Sequence, residues 1–64
     1  MAPYSVYQRD GFDVVYIHQL RDIEMSDGGI VAAANGELAG MQFACVNQAA
    51  LEETLAWLAE KGYK

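Results

Sequence analysis

β-Branched and aromatic residues flank Asp10-Gly11 on both sides in YSVYQRDGFDVVYI, which predicts a β-hairpin. Asp-Gly is a preferred pair for the two-residue type I′ turn, whose twist matches that of the strands it joins. Counting outward from that turn sets Gln8 opposite Asp13, Val6 opposite Val15 and Tyr4 opposite Ile17 on one face. Tyr7 with Val14 and Ser5 with Tyr16 fall on the other. The first face is the expected core side, apart from its polar tip.

A second hairpin is predicted in GIVAAANGELAGMQFACV around Asn35-Gly36, another strong two-residue turn signal. In this register Ala32 lies opposite Ala39 and Ile30 opposite Met41, and their face continues to Phe43 and Cys45. Its larger side chains mark it as buried, while Val31, Ala33, Leu38, Gly40, Gln42 and Ala44 form the reverse face.

In NQAALEETLAWLAEKG the period lengthens to that of a helix. Asn47 stands at the N-cap, Glu52 and Glu53 in the N-terminal half, Lys61 in the last turn and Gly62 as the stop. Leu51, Leu55 and Leu58 form one stripe for the sheet, Ala49, Glu53, Ala56 and Glu60 point to solvent, and Trp57 sits on the border. Between the hairpins, HQLRDIEMSDGG carries Leu20 and Ile23 three apart, enough for a short helix or a loop. The predicted fold is α+β: an antiparallel sheet of two hairpins, a short connector helix or loop, and a C-terminal helix packed on one face. Residues 1–64 read as a single domain that folds as a monomer or a small homo-oligomer.

Composition narrows the chemistry. Hydrophobic residues make up 53% of the chain, well clear of the range that leaves chains disordered. A single cysteine, Cys45, excludes an intramolecular disulfide, and no apolar run approaches the roughly 20 residues of a membrane span. With no basic stretch leading into an apolar one near Met1, the expected location is the cytoplasm.

Nine acidic residues against four basic ones give a net charge of −5, which argues against direct binding to nucleic acid or to an anionic membrane. All nine acids and one base, Arg21, lie between Asp10 and Glu60, so that interval carries −8. The densest stretch is RDIEMSDGG, with Asp22, Glu24 and Asp27. Aligned as a calcium loop, it places Asp27 where a glycine is needed and Ala33 where the closing carboxylate belongs, so no metal ligand set is predicted.

No catalytic residue or cofactor is predicted either. Cys45 falls among core positions, where a thiol acts as a small hydrophobe, and His18 is the only histidine. Glu52 and Glu53 diverge by about 100° on the helix and cannot share a proton. The glycines of Asp10-Gly11 and Asn35-Gly36 belong to turns rather than to a phosphate loop.

Two surfaces remain. If the helix covers the Val6, Val15, Met41 and Phe43 face, the reverse face offers Tyr7, Tyr16, Phe12, Val14, Val31 and Leu38 to a partner, to the connector or to water. Tyr7, Tyr16 and the bordering Trp57 are the secondary interface candidates. The second surface is the acidic body. A compact chain of this length is about 28 Å across. B-DNA of that length carries about 16 phosphate charges, about half of them facing one side. Nine carboxylates match that half only if they converge.

A very short, acidic, single-domain chain with no catalytic motif resembles the phage-encoded anti-CRISPR proteins of the DNA-mimic kind; the resemblance lies in size, charge and α+β outline. It implies a host-cytoplasmic inhibitor whose Asp and Glu residues stand in for phosphates on a CRISPR effector complex or another basic, nucleic-acid-binding protein. The expected contact set is Asp22, Glu24, Asp27, Glu52 and Glu53. A hairpin closed by Asp10-Gly11 followed later by LEETLAWLAEKG is also similar to antitoxins of the HicB kind, which implies a ribonuclease toxin as the alternative partner.

Overall fold

The computed structural model describes residues 3–19, 21–22 and 36–63. They form an α+β unit with strands β1 (Tyr4–Arg9), β2 (Phe12–Ile17) and β3 (Gln42–Cys45) and helix α1 (Gln48–Glu60). The sheet is antiparallel in the order β1-β2-β3.

The first hairpin has the register counted from its turn, with Tyr4 opposite Ile17, Val6 opposite Val15 and Gln8 opposite Asp13. Asp10 (φ 52°) and Gly11 (φ 83°) both take the positive φ that a type I′ turn requires. The strand β3 lies against β2 with Val15 opposite Phe43 and Asp13 opposite Cys45, so Phe43 and Cys45 do share a face with Val15.

Of the second predicted hairpin, Ile30, Val31, Ala32, Ala33 and the turn residue Asn35 lie outside the described residues. Within them, β3 starts later than the alternation suggests. Glu37–Gly40 is a turn rather than strand: the Ala39 amide donates to Gly36 O (3.3 Å), and the Met41 amide to Leu38 O (2.9 Å). Gly40 sits at φ 82°, which stops an extended strand, and its amide donates to Ile17 O at 2.8 Å. Leu38 consequently leaves the reverse face and packs against the core.

Helix α1 begins as its sequence predicts. The Asn47 side chain accepts from the Ala50 amide at 2.8 Å, the bond that defines an N-cap. Replacing Asn47 by alanine orphans that amide, and denaturant unfolding should report a loss of about 1 kcal/mol; no change in midpoint would refute the cap's role. Lys61 is the C-cap rather than part of the last turn. Beyond it Gly62 (φ 94°) donates to Ala59 O at 3.1 Å and Tyr63 to Leu58 O at 2.9 Å, a complete Schellman motif.

That motif folds Tyr63 back onto the core beside Leu58. The core comprises Val15, Ile17, Cys45, Leu58 and Tyr63, with Tyr4, Leu38, Phe43, Ala50, Leu51 and Leu55 packed around it. The helix sits over β2 and β3 and leaves β1 uncovered. Two positions expected in the core are therefore exposed, Val6 on the edge strand and Met41 before β3, each at 43%.

Candidate functional site

Where β2 ends, four polar side chains meet around one carboxylate. Asp22 lies in the helical turn that follows the sheet, and its Oδ2 accepts the Tyr16 hydroxyl and the Gln19 backbone amide, the latter at 3.0 Å. The Asp22 amide in turn donates to Gln19 O at 3.0 Å, so residues 19 and 22 close on each other like the two ends of a capping box. Gln19 Nε2 donates to the Tyr16 oxygen at 3.2 Å. His18 Nδ1 stands 4.0 Å from the same Asp22 oxygen, while its Nε2 is hydrogen-bonded to Ser5 Oγ on β1 at 2.8 Å. The Tyr16 and His18 rings meet edge to face with centroids 5.5 Å apart.

This geometry sets the acidities. The Tyr16 phenol, and after it the Gln19 amide, hold the Asp22 carboxyl below the usual carboxylate range, with smaller help from the charges of His18 and Arg21. The same hydrogen bond to Asp22 raises the pKa of Tyr16, and the Gln19 donor partly offsets it. Asp22, expected as an outward contact, is thus committed to its own chain, and Tyr16 is half-buried with its hydroxyl engaged.

The rest of the reverse face is less open than the alternation implies. Tyr7 reaches across the central strand to hydrogen-bond Gln42 Oε1 at 3.3 Å, and Val14 beneath is only 1% exposed. Tyr7 and Phe12 stay accessible at 38% and 41%, with the Arg9 guanidinium 5.9 Å from the Tyr7 ring centre. Trp57 does lie on the helix border, its ring edge-to-face with Phe43 at 5.6 Å and the Lys61 ammonium 5.0 Å over it.

Glu52 and Glu53 are exposed on α1, as are Ala49, Ala56 and Glu60, while Glu24 and Asp27 lie outside the described residues. Lys61 and Arg9 face rings rather than carboxylates, and among the described residues the His18–Asp22 pair is the one acid–base pair within 4.0 Å. The helix carboxylates are therefore not neutralised by described lysines or arginines.

Cys45 is buried at 3% exposure, its thiol placed between Phe43 O (3.7 Å) and Thr54 Oγ1 (3.5 Å), so its contacts are structural. Among the described residues no group of three His, Cys, Asp or Glu side chains is placed to hold a metal, and no helix is long and apolar enough to cross a membrane. A shallow cleft of about 250 Å³ is lined by Glu37, Leu38, Lys61 and Tyr63. Sequence reasoning missed the Tyr16–Asp22 pairing, for which the spacing of six residues across a strand end gives no periodic signal. Comparison with protein-family models, with curated proteins and with solved structures finds no match for this chain.

Proposed function

We propose that this chain is a non-enzymatic inhibitor that binds a basic, nucleic-acid-handling protein surface, in its sharpest form an anti-CRISPR protein that keeps DNA off a CRISPR surveillance complex. The observation that carries the reading is the run from Asp10 to Glu60, with nine acids and one base, whose helix carboxylates Glu52, Glu53 and Glu60 stand exposed and unpaired with any described cation. A carboxylate left without a cation of its own keeps its full attraction for a partner's Lys and Arg, at the modest desolvation cost of an exposed group. The chain's largest dimension, 33 Å, is that of about one turn of B-DNA.

The test is competition. Guide-loaded surveillance complexes are incubated with labelled target duplex and increasing amounts of the protein, at several salt concentrations. The expected result is release of DNA by the protein, with protein affinity falling steeply as ionic strength rises. Binding that ignores salt would move the contact to the Tyr7 and Phe12 face, and capture of a ribonuclease toxin in place of the complex would favour the HicB-like alternative. Failure to displace DNA from any complex refutes the anti-CRISPR form.

A further inference from the structure

We propose that Ser5, Tyr16, His18, Gln19 and Asp22 form a proton-operated clasp that ties the chain leaving β2 to the end of the first hairpin, closed while Asp22 is ionised. The inference concerns the free chain and stands whether or not the proposed partner is correct.

Three segments meet in the clasp. Ser5 belongs to β1, Tyr16 to β2, and Gln19 and Asp22 to the turn beyond it. A fourth closes from behind: a β-carbon added at Gly40 would lie 3.0 Å from the Gln19 side chain, so Gln19 is seated directly on that glycine. The backbone supports the same junction, because His18 N donates to Pro3 O (2.9 Å) and Gly40 N to Ile17 O (2.8 Å).

The switch lies in what Asp22 Oδ2 does. Ionised, it accepts from Tyr16 and from the Gln19 amide together. A proton on that oxygen makes it a donor facing two donors, and both bonds weaken. The charged and titratable groups facing it among the described residues are Tyr16, His18 and Arg21, and every one of them favours the ionised form.

His18 ties the cluster to β1 through Ser5. While the ring is neutral, only one nitrogen carries hydrogen: with it on Nδ1, toward Asp22, the Ser5 hydroxyl donates to Nε2, and with it on Nε2 the ring donates to Ser5 and turns a lone pair toward the carboxylate.

The sign follows from the directions of shift. Because the folded carboxyl is held below its usual range, its contribution is fully present above the unfolded value of about 3.9 and disappears as pH falls through the lower, folded value. Tyr16 runs the other way. Its raised pKa means that its contribution is intact below about pH 10 and is lost as pH rises through the folded value.

The experiment is an NMR titration of the full chain without partner, from about pH 8 to about pH 2.5, following the Asp22 carboxyl carbon and the Gln19 amide. The two should move together in the acid range with a shared midpoint below about 3.9. Tyr16→Phe should raise that midpoint, and Asp22→Asn should abolish the acid step and speed Gln19 amide exchange about tenfold or more. Val15 and Leu58 methyl signals, on the opposite side of the sheet, report that each variant is folded. A Gln19 amide indifferent to Asp22, or a midpoint unmoved by Tyr16→Phe, overturns the clasp.

Discussion

Leu58→Ala should lose cooperative folding or come close to it. Leu58 is fully buried and lies where the helix stripe, the Schellman turn and Tyr63 converge, and its carbonyl receives the Tyr63 amide. Truncating a buried leucine costs about 2–5 kcal/mol, the larger values where surrounding atoms cannot collapse into the space. A domain of 64 residues has only about 3–10 kcal/mol in total. Thermal unfolding followed by circular dichroism should therefore show Tm lowered by about 8 °C at least, or no transition at all. Ala49→Gln on the solvent face of the same helix should stay within about 0.5 kcal/mol of the parent. A Leu58→Ala protein as stable as that control would mean that the helix does not hold the sheet as described.

How much of this was legible in the sequence differs from element to element, for physical reasons. Asp10-Gly11 favours one turn geometry between the two strands, so the five cross-strand pairs counted from that dipeptide are all present. The Asn47 cap and the Gly62 stop are local chemistry and were equally readable. The strand expected through Glu37 to Gly40 fails because alternation counts side chains and is blind to φ: Gly40, read as one more strand position, takes a left-handed conformation that ends the ladder. Tyr63 joined the core unannounced, since a residue past a helix stop is buried only by the return of the chain that the Schellman bonds enforce. Val6 and Met41 have the right parity for burial and remain exposed, because parity selects a face while the width of a single helix decides how much of that face is covered. For the candidate contacts, the sequence supplied the carboxylates but not their partners, and the partners separate Asp22 from Glu52 and Glu53.

That separation determines which charge reversal is informative. Asp22→Lys would remove the acceptor of Tyr16 and of the Gln19 amide, so any loss of binding would mix a missing contact with a disturbed turn. Glu52 and Glu53 carry no such burden. They are exposed, pair with no described cation, and lie beyond the first turn of α1, where the helix dipole gives an acid little advantage. The double variant Glu52→Lys, Glu53→Lys should therefore unfold at nearly the parental temperature, yet oppose the cationic groove of the proposed partner with two charges of the wrong sign. Charge-assisted contacts contribute about 1.5–3 kcal/mol each, so losing two corresponds to about 10²-fold or more in affinity for the proposed partner, a surveillance complex, at low salt. Salt screens attraction and repulsion alike, so the deficit should shrink as ionic strength rises toward about 1 M, where the Debye length is about 3 Å. A variant that binds like the parent at low salt removes this helix face from the contact set, and one that is weaker by the same factor at every salt concentration replaces charge complementarity with a steric account.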